Sequence, residues 1–264
     1  MSQNKPLILV TGATGQLGTT LAQKAQKAAH IQWVFCSKED MDLCDTKQVA
    51  AIFEQYRPDY CINTAAFTNV RRAEEHPQKA KAVNVDGVMR LIEQCNRHNT
   101  CLLHLSTDYV FDGLQSHPYI ESDPVNPINV YGKTKAAGEQ LLLAQANQYY
   151  IIRTAWLYAK THGQNFYRSI LHKAMAGETL TVVNDQVGSP TSTDELADFL
   201  LRLIEKSPPH GIYHCAGKEV MSWYIFAKAI LKAHQLNVKL IEATTPQEGL
   251  KRPRYSALGT TKII

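Results

Sequence analysis

Tyr131 and Lys135 stand four residues apart in the run Tyr131-Gly132-Lys133-Thr134-Lys135. On a helix this spacing puts a phenol and an ammonium on one face, one turn apart. An ammonium beside a phenol favours the phenolate, so the tyrosine becomes a better acid near neutral pH. Such a pair suits a proton donor working on a carbonyl that receives a hydride. Taken alone, it fits an exposed i,i+4 contact on an amphipathic helix equally well. Features upstream decide between the two.

The elements that must position the pair start with Leu7-Ile8-Leu9-Val10, a continuous apolar run typical of a strand buried on both faces. Thr11-Gly12-Ala13-Thr14-Gly15-Gln16-Leu17-Gly18 follows, then a helical pattern from Gln16 to about Ala29. Strand, glycine-rich turn and helix in this order let backbone approach a pyrophosphate at the helix N-terminus. The spacing is GxxGxxG, which differs from the GxGxxG fingerprint. A second strand, Gln32 to Cys36, ends in Ser37-Lys38. A hydroxyl and an ammonium there suit the 2′-phosphate of NADP, where an acid would favour NAD. Asp45 with Gln48 reads as a capping box for a helix ending near Tyr56.

Tyr60 to Asn63 is the next buried strand, and small residues follow it in Thr64-Ala65-Ala66-Phe67-Thr68. A helical stretch from about Ala80 to His98 carries Asn84, placed to brace an active site through hydrogen bonds. Cys101 to Leu105 forms a strand, and Ser106-Thr107 at its end offers hydroxyls to a substrate carbonyl or caps the strand. Strands then alternate with helices through Tyr150–Ile152, a helix over 165–176, Thr181–Val183, a helix capped by Asp194, Gly211–Cys215 and a helix over 222–234. The pattern predicts an α/β fold: a doubly wound, Rossmann-like parallel sheet with a smaller C-terminal lobe. Residues 1–154 read as the cofactor domain. Residues 155–264 read mainly as the substrate side, with some segments returning to the sheet.

Composition narrows the class. The 264 residues are 44% hydrophobic and 20% charged, ordinary for a soluble globular chain. The net charge of +4 is scattered, which suits a small anionic substrate and argues against a nucleic-acid footprint. The first apolar run is too short for a signal sequence or a membrane span. Six cysteines without a CxxC read as reduced packing residues of a cytoplasmic protein, and ten dispersed histidines suggest no zinc site.

Several stretches together resemble the dTDP-4-dehydrorhamnose reductase family of extended short-chain dehydrogenases/reductases. They are TGATGQLG (11–18), NTAAFT (63–68), LSTDYVFDG (105–113), YGKTKAAGE (131–139), RTAWLY (153–158) and NDQVGSPT (184–191), with RPRYSAL (252–258) a looser match. The resemblance implies a catalytic triad of Thr107, Tyr131 and Lys135, which also contacts cofactor through Tyr131 and Lys135. It implies cofactor contacts from Gly12, Gly15, Gln16, Leu17, Gly18, Ser37, Lys38, Asp42, Leu43, Ala65, Ala66 and Thr68. Substrate contacts would come from Thr107, Asp108, Tyr109, Trp156 and Arg252. The implied reaction is hydride transfer from NADPH, or NADH, to the 4-keto group of a dTDP-4-keto-6-deoxyhexose, for cell-surface polysaccharide such as lipopolysaccharide.

Two departures from the family stand out. Arg71 occupies a place where relatives usually carry an acid, and the chain ends at Ile264, before a stretch that in some relatives helps bind magnesium at a dimer interface. The expectation is therefore no metal and a monomer or weak homodimer. Competing readings are another deoxysugar-nucleotide reductase or epimerase, and a non-catalytic regulatory subunit like that of methionine adenosyltransferase.

Overall fold

The computed structural model describes residues 5–246 and 248–262. The chain runs β1 (Leu7–Thr11), α1 (Gln16–Ala25), β2 (Gln32–Cys36), α2 (Thr46–Tyr56), β3 (Tyr60–Asn63), α3 (Val70–Glu75), α4 (Pro77–Lys81), a π-helical turn (Ala82–Asp86) and α5 (Gly87–His98). It continues with β4 (Cys101–Thr107), a 3-10 turn (Asp108–Val110), α6 (Val130–Gln145), β5 (Tyr149–Thr154), β6 (Leu157–Tyr158), α7 (Phe166–Met175) and β7 (Leu180–Val183). Last come β8 (Val187–Gly188), β9 (Thr191–Ser192), α8 (Thr193–Lys206), β10 (Gly211–His214), β11 (Met221–Ser222), α9 (Trp223–Ala233) and β12 (Leu240–Ala243).

Six strands form one sheet in the order β10-β5-β4-β3-β1-β2. Every pairing in it is parallel. The fold is the doubly wound α/β arrangement that the alternating pattern predicts. The chain leaves β1 for β2 on one side and returns to β3 on the other, so a crevice opens at the carboxyl edge between β1 and β3. Both sheet faces are covered. One carries Val10, Leu21, Ile62, Leu103 and Leu200. The other carries Leu9, Phe53, Cys61, Leu91 and Leu102. A third apolar cluster joins α7, β7 and α9 with Trp156 and Tyr119. From the C-terminal half, β10 joins the main sheet and α8 packs against α1.

Several boundaries differ from the sequence reading. Helix α1 stops at Ala25, short of Ala29, because no residue past Leu21 is buried to hold another turn. Asp45 does cap α2, accepting from the N–H groups of Lys47 and Gln48. The Gln48 side chain, however, accepts from Asp42 N, so there is no capping box there. The box lies at Ser192 and Glu195, which makes Ser192, and not Asp194, the cap of α8. The stretch over 80–98 is interrupted by the π-helical turn that carries Asn84. β12 is half-exposed, and β6, β8, β9 and β11 have two residues each, too short for a periodic signal.

The cysteines are free, and all but Cys44 are buried. Among the described residues no helix is long and apolar enough to cross a membrane. Among them, too, no cluster of three or more His, Cys, Asp or Glu is arranged to hold a metal ion.

Candidate active site

The glycine turn is built for close approach. Gly12 adopts φ +64, and a Cβ there would meet Ala65 N at 2.8 Å. A Cβ on Gly18 would meet Gly12 O at 2.5 Å, so α1 sits directly against the turn. Helices α2, α6, α7, α8 and α9 each have a side-chain N-cap. Helix α1 has none, and no acid lies in its first turn. Its first N–H groups are left to an anion, as a pyrophosphate would need. Leu17 is buried and offers backbone only. The Gln16 side-chain oxygen is taken by Ala159 N and Asn165 Nδ2, which ties α1 to the loop before α7.

At the end of β2, Ser37 and Asp40 close a turn on each other, and hydrogen bonds from Ser37 hold the Asp40 carboxyl below its usual range. Lys38 is largely exposed and lies 3.6 Å from Asp42. Asp42 also accepts from Cys44 N. Leu43 is buried against Gly87, so its side chain is core, and its carbonyl accepts from Arg90. Ala65 and Ala66 lie across the crevice from the turn, with Thr68 exposed just beyond. Asn84 holds this segment: its Oδ1 accepts from Phe67 N and its Nδ2 donates to Phe67 O and Thr134 Oγ1. The bracing expected of Asn84 is thus made, and it reaches α6.

Helix α6 carries Tyr131, Lys135 and Glu139 at successive i,i+4 positions. Asn129 caps its start by accepting from Gly132 N at 2.8 Å. Gly132 is required, since a Cβ there would lie 2.1 Å from Tyr109 O. Deeper in, Arg153 on β5 pairs with Glu139 at 2.7 Å with both side chains almost fully buried. Ser106 on β4 donates to the same carboxylate. Helix α6 is thereby pinned to the two strands whose ends hold Thr107 and Thr154.

Thr107, Tyr131 and Tyr109 meet at the carboxyl edge of the sheet. The Tyr109 and Tyr131 rings meet edge to face, centroids 5.9 Å apart. Thr107 Oγ1 donates to Asp108 Oδ1 at 3.0 Å. Ser256, from the C-terminal segment, donates to Asp108 Oδ2. Burial raises the Asp108 carboxyl to about 7 despite these donors. Burial also raises the Tyr131 phenol, with the Thr107 hydrogen bond acting in the opposite direction. This is opposite to the shift expected from Lys135. The Lys135 ammonium is turned to His104 and Leu105 O, so desolvation of the phenolate governs Tyr131 and the phenol keeps the proton it would donate. Lys135 is brought down to about 8 by burial, with Glu139 acting against that.

A cavity of ≈ 560 Å³ is lined by Arg71, Trp223, Gln186, Thr245 and Arg252 among others. Arg252 also bears on the Tyr109 hydroxyl, which links this cavity to the Tyr109–Tyr131 pair. Trp156 is buried, takes φ 47 and stacks flat on Trp223 with centroids 3.4 Å apart. It is Trp223 that lines the cavity, with Trp156 behind it. Trp223 went unnoticed in the sequence, where the signal was a tryptophan directly after the N-cap Ser222. The segment 251–259 is held by Asn129 Nδ2 on Lys251 O, by Val187 N on Arg254 O and by the Tyr119–Leu258 bridge.

Residues 6–264 match the family model described as the RmlD substrate binding domain. The dTDP-4-dehydrorhamnose reductase of Aggregatibacter actinomycetemcomitans is 39% identical over 269 residues, aligning 97% of this chain with 91% of the relative. A dTDP-4-keto-6-deoxy-D-glucose reductase of Streptomyces niveus is 38% identical, aligning 95% of this chain with 88% of the relative. Among solved structures, the dTDP-4-dehydrorhamnose reductase of Bacillus anthracis in complex with NADP is similar at a TM-score of 0.93 and 33% identity, covering 97% of this chain and 90% of that one. The likeness runs along nearly the whole chain, and the chain belongs to the dTDP-4-dehydrorhamnose reductase family.

Proposed function

We propose that this protein reduces the 4-keto group of dTDP-4-dehydrorhamnose with NADPH, giving dTDP-L-rhamnose for cell-surface polysaccharide. The observation that supports the reading is that Thr107 and Tyr131 meet at the same carboxyl edge of the sheet as the glycine turn and the uncapped N-terminus of α1. The nicotinamide cofactor supplies the hydride when bound. Backbone of Gly12, Gly15, Gln16, Leu17 and Gly18 holds its pyrophosphate, Ala65, Ala66 and Thr68 flank it, and Ser37 and Lys38 face the adenosine ribose beside Asp42 and Leu43. Tyr131 gives its proton to the sugar oxygen. Thr107 donates to that oxygen, and Lys135 favours the phenolate that is left. Asp108 and Tyr109 line the sugar, Arg252 takes the diphosphate, and the stacked pair Trp156 and Trp223 forms an apolar wall. On this reading residues 1–154 serve the cofactor and residues 155–264 mainly the substrate, in a cytoplasmic monomer or weak homodimer.

The pH dependence follows from two groups. Reduction moves negative charge onto Tyr131. The Lys135 ammonium favours that, and it is lost as pH rises through about 8. Ionised Asp108 opposes it, and its charge appears as pH rises through about 7. Both effects act in one direction, so kcat/KM for reduction should be highest below neutrality and fall across the alkaline side. A profile that rises there would contradict the assigned roles.

Arg252→Ala should raise KM for the dTDP-sugar roughly 10- to 100-fold with kcat nearly kept, since the diphosphate does not change charge in the reaction. Initial rates at saturating NADPH across a panel of dTDP-4-keto sugars test this and the sugar preference together. Equal rates without any dTDP-sugar dependence, or no turnover of any of them, would favour the regulatory-subunit reading.

A further inference from the structure

Lys135 is 2% exposed, and two of its contacts lie inside the protein. Its Nζ donates to Leu105 O at 2.6 Å and lies 3.1 Å from His104 Nε2. His104 is fully buried on β4. Its Nδ1 lies 3.0 Å from the Asn63 side-chain nitrogen on β3. Asn63 Oδ1 accepts from Thr11 Oγ1 on β1 at 2.7 Å, and Thr11 Oγ1 accepts from Ala65 N at 3.2 Å. One buried chain thus crosses three neighbouring strands, from the glycine turn to the lysine of α6.

From Lys135 to Asn63 the protons of this chain have two arrangements. In the first, Thr11 donates to Asn63 Oδ1, Asn63 donates to His104 Nδ1, and Nε2–H donates to an uncharged Lys135 amine. In the second, the Lys135 ammonium donates to Nε2, Nδ1–H donates to Asn63 Oδ1, and the turned Asn63 amide donates to Thr11 Oγ1, whose own proton gives up the Asn63 acceptor. The two differ only in protons and one amide flip. A neutral imidazole therefore satisfies Lys135 with or without its proton. Burial, followed by the Lys135 charge, keeps His104 well below its usual range, so the imidazole stays neutral in both.

We propose that His104 is a positioning residue for the reduction: by exchanging tautomers it keeps Lys135 hydrogen-bonded and aimed in both of its charge states. The proposal rests on the reductase reading. It places one N–H of Lys135 on Leu105 O and one on His104, leaving the third direction for phenol and ribose. Other titratable or charged groups around Lys135 are Tyr131 and Glu139 on its own helix, with Arg153 on β5 already paired to Glu139. Asp108, just past β4, bears on Tyr131. Behind Gly138 of α6 lie Asn84 and Val88, which do not titrate, and α3 brings Glu74, whose carboxylate accepts from Val130 N at the start of α6.

Nitrogen-15 NMR of the wild-type protein, free of ligand, tests the tautomer directly and needs no activity. The expected result is a neutral His104 whose proton moves from Nδ1 to Nε2 as pH rises through about 8. A tautomer that stays fixed across that range, or a charged imidazole, would overturn the proposal. Kinetics supply the second arm. A hydrogen bond to an ammonium is stronger than one to an amine, so His104→Phe should shift the alkaline limb of kcat down by roughly one pH unit and lower kcat. His104→Gln, whose amide can also flip, should restore much of both. Wild-type pH limb and kcat in a folded His104→Phe variant would overturn it too. If the wild type itself turned over no keto sugar while the tautomer exchanged as expected, the reductase reading alone would fail.

Discussion

Tyr131→Phe is expected to lose turnover by roughly 10²- to 10⁴-fold, the usual worth of a positioned general acid. The substitution removes one hydroxyl from a ring held edge to face with Tyr109, so the packing that places it should survive. NADPH affinity should stay near wild type, because the turn around Gly12 and the N-terminus of α1 are untouched. The measurements are kcat with the dTDP-4-keto sugar and a fluorescence titration of NADPH. Undiminished kcat would remove Tyr131 from the proton-transfer step. Loss of cofactor binding with turnover would mean that the ring is mainly a wall of the site.

Glu139→Ala should have the largest effect on stability. It would leave the Arg153 guanidinium buried without its carboxylate and Ser106 without its acceptor. Breaking such a pair from one side costs about 3–5 kcal/mol. In a chain of this length that is a fall in Tm of roughly 10 °C. Arg153 retains a contact over the Phe111 ring and a long hydrogen bond to Glu121 O, neither of which neutralises it. Glu139→Gln, which keeps acceptor geometry, should lose less. Thermal unfolding of both variants is the check. A Tm for Glu139→Ala within a degree or two of wild type would mean that water reaches Arg153 and that α6 is held by packing alone.

The sheet was legible in the sequence because its strands are buried on both faces and read as apolar runs, unbroken in Leu7–Val10 and broken only by His104 in Cys101–Leu105. The glycine turn and the Tyr131–Lys135 spacing were legible because each is local. Contacts between distant segments were not. Nothing in the sequence ties His104 to Lys135, Ser256 to Asp108 or Trp223 to Trp156, because those pairs depend on which strands become neighbours and on how the segment 251–259 crosses back. The π-helical turn at Asn84 was hidden for a related reason. Asn84 bonds to Phe67 and Thr134, far away in sequence, and those bonds hold it in an irregular turn. The expected lowering of the Tyr131 phenol was read from one helix face. The burial that raises it comes from the rest of the fold.

The central claim is hydride transfer from NADPH to the sugar C4, with Tyr131 supplying the proton. NADPH carrying deuterium on the transferring face of its nicotinamide, incubated with the protein and dTDP-4-dehydrorhamnose, tests that most directly. The expected product is dTDP-L-rhamnose with one deuterium at C4, detected by mass spectrometry and NMR. Product without deuterium, a sugar changed only in configuration, or NADPH left unoxidised would contradict it.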